Sequence, residues 1–113
     1  MGLATRAEAD PRAEAKLFSG FVRLHVLYHA SRAPIFGWGM IEELRRHGYR
    51  LSPGTLYPLL QGLEQAGLLR SERKFAHGRF RRLYRATTAG RRALRRARRQ
   101  IRELFGELFD ERP

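Results

Sequence analysis

The stretch from Gly48 to Gly67 constrains this chain more than any other. Ser52-Pro53 places a hydroxyl residue at a helix N-cap and proline at the first helical position, where its missing N–H costs nothing. Leu56, Leu60 and Leu63 then recur on one face, and Gly67 ends the run. Upstream, a helix fits from about Gly37 to His47, with Met40, Ile41 and Leu44 inward and Glu43, Arg45 and Arg46 outward. Gly48 is its left-handed stop. Only Tyr49-Arg50-Leu51 joins the two, and helices joined so briefly make a helix-turn-helix.

The flanking segments complete a layout. Residues 1–9 read as a flexible lead. Asp10-Pro11 opens a helix that runs to about His29, with Leu17, Phe21, Leu24 and Tyr28 on one face and Phe18, Val22 and Val26 on the next. An apolar arc that wide implies burial on two sides, and Ser31 to Pro34 breaks the pattern. After Gly67, Leu68–Phe75 and Phe80–Ala86 read as strands, joined through the turn glycine Gly78 into a hairpin. Thr87 or Thr88 caps a last helix of about 20 residues, some 30 Å long. Its seam is Leu94, Ala97, Ile101, Leu104, Phe105 and Leu108, with Arg92, Arg95, Arg96 and Arg99 opposite. The expected fold is mainly α (α+β): a winged helix-turn-helix with an N-terminal helix and a long C-terminal dimerisation helix. Residues 10–86 are expected to form the winged-helix unit and residues 87–113 the segment that pairs two subunits.

Charge then narrows the partner. Residues 49–102 carry fifteen positive and two negative side chains, a net of +13, whereas residues 1–48 net +2 and residues 103–113 net −3. Twenty-one of the 23 basic residues are arginine, and twelve aromatic residues exclude a disordered basic tail. A compact chain so charged fits a polyanion, most often nucleic acid. Without cysteine there are no disulfides or thiolate metal sites. No apolar run approaches a membrane span and no signal peptide opens the chain, so cytosol is the default and no membrane partner is expected.

The run from Ser52 to Glu72, SPGTLYPLLQGLEQAGLLRSE, closely resembles the PadR family of bacterial transcriptional regulators. Phe36-Gly37-Trp38 stands at that family's aromatic-Gly-aromatic opening of the second helix. Gly78-Arg79 with Arg81-Arg82, then Tyr84 and Thr87-Thr88-Ala89-Gly90-Arg91, resembles its wing and the start of its last helix. The likeness covers roughly residues 17–92 and points to the short branch with one terminal helix. Gly62, Phe80 and Leu83 depart from the usual pattern, which leaves operator preference open.

The resemblance implies a regulator, most simply a homodimeric repressor on a two-fold double-stranded operator. The third helix would enter the major groove and the wing would follow phosphates or the minor groove. Ser52 with the free N–H groups of Gly54 and Thr55 suits a phosphate at the helix start. Tyr57, Pro58 and Gln61 point outward, with packing beneath the wing the lesser reading for Tyr57. Lys74, His77, Arg79 and Arg81 surround the wing tip, with Arg79 best suited to a narrow minor groove. Arg82 and Arg85 read as ordinary solvated strand positions, and Arg91–Arg99 serve either flanking phosphates or solubility. Phe18, Phe21 and Val22 join the last helix's seam as the expected dimer interface. The resemblance also implies that a small hydrophobic effector, flat and aromatic or cationic, can sit between subunits; a closed dimer core is the other reading.

No catalytic constellation, P-loop or dinucleotide fingerprint appears, so an enzyme is not expected and no cofactor is implied. His25 and His29 stand one helical turn apart, but no third ligand lies near them in sequence, so no metal site is expected. Trp38 reads as a packing residue. Two alternatives remain: a sequence-neutral architectural DNA-binding protein, and a module whose basic face meets an acidic protein.

Overall fold

The computed structural model describes residues 8 and 10–110. The expected lead over residues 1–9 therefore lies, apart from Glu8, outside the described residues, as do residues 111–113. The chain forms α1 (Pro11–Arg32), β1 (Ile35–Phe36), α2 (Gly37–Arg46), α3 (Pro53–Gln65), β2 (Leu69–Ala76), β3 (Arg79–Ala86) and α4 (Thr88–Leu108). This is a mostly helical winged helix-turn-helix with a three-stranded antiparallel sheet of order β1-β3-β2.

Local chemistry sets the boundaries. Asp10 caps α1, its carboxylate accepting from the Arg12 N–H at 2.9 Å. The helix continues past the expected end at His29 to Arg32, because Ser31 satisfies the Tyr28 carbonyl through its hydroxyl at 2.6 Å. It stops where Pro34 forces Ala33 into extended backbone. The next two residues then add β1, a strand with no sequence signal at this length, pairing Ile35 with Tyr84 and Phe36 with Leu83. Gly48 and Gly67, at φ 88° and 81°, end α2 and α3 as left-handed stops. In each case the following N–H reaches back five residues, Tyr49 to Leu44 and Leu68 to Leu63.

The wing is built on a full register from Leu69↔Ala86 to Ala76↔Arg79. Its turn is His77-Gly78, both at positive φ, the two-residue geometry that matches strand twist. Each strand lies one residue from its expected start or end, since Ala76 and Arg79 join the ladder.

The core gathers side chains of α1, α2, α3, β2 and β3, with Ile35 of β1 and Leu94 of α4 packed against it. Val26, Leu44, Leu56 and Leu60 are fully buried, with Leu69, Tyr84 and Met40 nearly so. Leu59 is buried too, beyond the expected Leu56–Leu60–Leu63 stripe of α3. From α1 come Val22, Val26, Leu27 and Ala30, while Leu17, Phe18, Phe21 and Tyr28 remain exposed. Each of the two expected faces is thus divided: Val22 and Val26 serve the domain while Phe18 beside them does not, and Leu24 is half-buried between the exposed Phe21 and Tyr28.

The motif Thr87 to Arg91 fastens α4 to this core. The Thr87 hydroxyl accepts from the Gly90 N–H at 2.9 Å and donates to the Gly67 carbonyl at 2.6 Å. Arg91 donates to the Ser31 carbonyl at 2.7 Å. Gly90 is buried against the Leu68 carbonyl, where a Cβ would collide with backbone. Beyond this anchor α4 leaves the domain, and the molecule measures 57 × 34 × 26 Å.

Candidate nucleic-acid interface

The start of α3 is exposed from Ser52 to Thr55. Ser52 occupies the N-cap, but its hydroxyl does not cap a backbone N–H; it donates to the Thr55 hydroxyl at 3.3 Å. The Thr55 N–H already donates to the Ser52 carbonyl at 3.1 Å. The expectation of two free N–H groups is corrected to one, Gly54, since Pro53 has none to offer. Gly54 N–H and the paired Ser52 and Thr55 hydroxyls remain exposed polar groups at the positive end of α3. Pro58 and Gln61 lie on the exposed side one and two turns on. Pro58 removes only the hydrogen bond to the Gly54 carbonyl, in the second turn where the interruption is tolerated.

Tyr57 packs against α2 while keeping an exposed face. Its ring lies against the backbone of Gly37, so close that a Cβ there would stand 2.5–2.8 Å from the ring and hydroxyl. It nevertheless keeps 41% of its surface. Phe36-Gly37-Trp38 is thereby explained at its middle position: the glycine is the floor on which Tyr57 rests. Trp38 corrects its expectation, being 59% exposed rather than packed. Trp38, Tyr57 and Gln61 face Arg79, Phe80 and Arg81 across one open cleft of about 650 Å³ between α3 and the wing. Sequence reasoning missed Trp38 as a surface residue because tryptophan at a helix start is usually apolar packing; only the position of β3 reveals the opening.

The wing's tip is basic and aromatic. Lys74 faces Arg81 across the ladder, His77 stands in the turn and Arg79 follows it. None of Lys74, Arg79 and Arg81 has an ion-pair partner among the described residues. Phe75 and Phe80 form a cross-strand edge-to-face pair at 5.2 Å and stay 65% and 60% exposed. The Arg73 guanidinium sits over Phe80 at 4.6 Å.

The two acids within the basic block do not dilute this surface, for both are engaged. Glu64, at the end of α3, accepts from the Ser71 N–H at 3.0 Å and from its hydroxyl at 2.8–2.9 Å. Arg82 donates to that same hydroxyl at 3.1 Å. Glu72 pairs with Arg85 at 3.8 Å. Arg82 and Arg85 thus hold the wing together instead of standing in solvent alone, and Glu64 sets the wing's position relative to α3. Burial pushes the Tyr84 phenol above its ordinary range, with the Glu64 carboxylate adding to the effect.

A second surface lies away from the cleft. Along α4, Leu94, Ala97 and Ile101 are half-buried, with Leu94 against the core, while Leu104, Phe105 and Leu108 stand 52%, 39% and 62% exposed. Phe18 and Phe21 of α1 are exposed as well. Val22, named with them from sequence, is buried in the chain's own core at 4% exposure and has little surface left for a partner. Among the described residues no helix is long and apolar enough to cross a membrane.

The chain's likenesses agree with this geometry. The model of the Transcriptional regulator PadR-like family matches residues 26–96. A relative in Mycobacterium tuberculosis, Transcriptional regulator Rv3488, is 59% identical over 73 residues, 65% of this chain and 68% of the relative. Among solved structures, a PadR family transcriptional regulator from Eggerthella lenta superposes with a TM-score of 0.74 at 33% identity, covering 89% of this chain and 92% of that one. A PadR-like transcriptional regulator from Bacillus cereus has a TM-score of 0.77 at 23% identity, covering 84% of this chain and 94% of its own, and speaks to the fold alone.

Proposed function

This chain belongs to the PadR-like family of transcriptional regulators, which regulate by binding DNA, and from that premise we propose that it is a homodimeric repressor of a two-fold operator. In this reading residues 10–86 hold the DNA and residues 87–113 pair the subunits. Ser52, Gly54 and Thr55 grip a phosphate at the start of α3. Gln61, with Tyr57 and Pro58, meets the major groove. Lys74, His77, Arg79 and Arg81 carry the wing along the neighbouring phosphates and minor groove.

The observation that carries this reading is the division of charge across the cleft. Both acids of the +13 block are tied to wing residues, while Lys74, Arg79 and Arg81 have no ion-pair partner among the described residues, and Arg79 and Arg81 line the cleft beside the exposed face of α3. Uncompensated cations next to neutral, hydrogen-bonding side chains suit a surface that must grip phosphates and read bases. Arginine supplies affinity; the few uncharged residues of α3 supply discrimination.

Release by a flat apolar effector belongs to the same proposal. It is supported by the exposed Phe18 and Phe21 of α1 and Phe105 of α4, which would face a space between the two subunits.

Footprinting over the chain's own promoter region, followed by titration of the protected duplex and a random duplex at ~0.15 M salt, is the test. A specific regulator binds its operator ~10³-fold or more tighter. Uniform protection of every sequence would overturn the repressor reading in favour of an architectural protein, and no duplex binding would leave the acidic-protein reading.

A further inference from the structure

Three of the chain's four histidines meet in one place. His25 and His29 stand one turn apart on α1; Glu43 and His47 stand one turn apart along α2 and its cap. The crossing of the two helices turns these pairs toward each other. The imidazole nitrogens of His25, His29 and His47 offer one ligand atom each, all within 4.8 Å of one another. Oε1 of Glu43 lies 3.7 Å from Nε2 of both His29 and His47, while its other oxygen faces Arg46 at 3.6 Å. The His25 ring lies 4.9 Å from that of His47 and 5.5 Å from that of Tyr49, which walls the cluster on one side; Tyr28 stands edge-on to His29.

These distances suit a shared ion. Metal–nitrogen bonds of ~2.1 Å in a tetrahedron separate ligand atoms by about 3.4 Å. Glu43 is already near that edge length from two of the imidazoles, and ring rotations of under ~1 Å bring the nitrogens to it. Access is open, since the side chains of His29, Glu43 and His47 are 22%, 31% and 45% exposed.

We propose that His25, His29, His47 and Glu43 form a site for a divalent transition metal of the zinc, cobalt and nickel class, which clips α1 to α2. Three imidazoles and one carboxylate are a borderline donor set, suited to these ions and not to calcium or magnesium. The fourth histidine, His77, is in the wing turn and serves as an internal control.

The test is titration of the chelator-stripped full chain with Co²⁺. The expected result is one ion per chain, a visible ligand-field absorption of tetrahedral type, and its loss on adding Zn²⁺. His47→Ala and Glu43→Gln each weaken Co²⁺ affinity at least ~10-fold, the lower end of what even indirect partners of a metal contribute. His77→Ala leaves it unchanged. Both altered side chains are partly exposed, and circular dichroism verifies that the variants fold. A measurement on the unaltered protein stands beside these: Ni²⁺ broadens the imidazole resonances of three histidines and spares the fourth. No saturable binding, binding unaffected by His47→Ala, or broadening of His77 along with the rest would overturn the site.

Discussion

A single methyl group at residue 90 would have nowhere to go. Gly90 is pressed against the Leu68 carbonyl, part of the backbone that Thr87 also grips. Gly90→Ala should lower unfolding free energy by about 3 kcal/mol, because backbone on both sides must shift; urea denaturation measures it. Gly37 makes an instructive contrast. There the obstacle is the far end of the Tyr57 ring, which is 41% exposed and can swing outward. Gly37→Ala is therefore expected to cost less than about 1 kcal/mol of stability yet to weaken operator binding, because the displaced ring leaves its place beside Gln61. Equal losses in both measurements would show that Tyr57 has no part in DNA binding. At the wing, Arg79→Ala should weaken binding to all duplexes and lower the slope of log affinity against log salt by about 1, as removal of one phosphate contact does.

Elements are held in register by a few polar ties rather than by the sheet alone. The wing extends well past the core, and its outer residues, from Glu72 to Phe80, bury little. What fixes it relative to α3 is the Glu64 carboxylate on Ser71, buttressed by Arg82. Ser71→Ala removes the hydroxyl links but keeps the backbone one, so the cost in stability should be about 1 kcal/mol. Amide exchange in β2 and β3 should accelerate, while that of α1 and α2 stays as it was. Unchanged protection of the wing would mean that strand pairing alone positions it. The same scale shows why glutamate is present in so basic a segment: it orders cations that would otherwise repel one another.

The whole molecule is longer than its core. α4 is anchored by its first turn and carries Leu104, Phe105, Leu108 and Phe109 out into solvent, while α1 does the same with Leu17, Phe18 and Phe21. Monomeric proteins seldom leave so many large apolar side chains uncovered together. On the dimer proposal these surfaces meet their counterparts, and a two-fold operator follows from the two-fold protein. Leu104→Asp with Phe105→Asp should halve the mass seen by light scattering and severely weaken operator binding, with the winged helix still folded by circular dichroism. An intact dimer would place the contact elsewhere.

The helix-turn-helix, the hairpin and the last helix are all legible in the chain, because Ser52-Pro53, Gly48, Gly67 and Thr87 act through local backbone geometry that neighbours in sequence impose. The basic surface is legible too, since charge of one sign along 54 residues cannot be hidden in a small domain. Pairings across distance were beyond it. β1 exists only because β3 offers an edge, Trp38 is exposed only because the wing stops short of it, and Glu64 chooses Ser71 only once α3 and β2 are side by side. The histidines show the difference most plainly. Sequence supplied a pair on α1 without a third ligand; the crossing of α1 over α2 brings His47 and Glu43 to it. Periodicity tells which face of a helix is apolar, but what stands opposite that face is decided by packing.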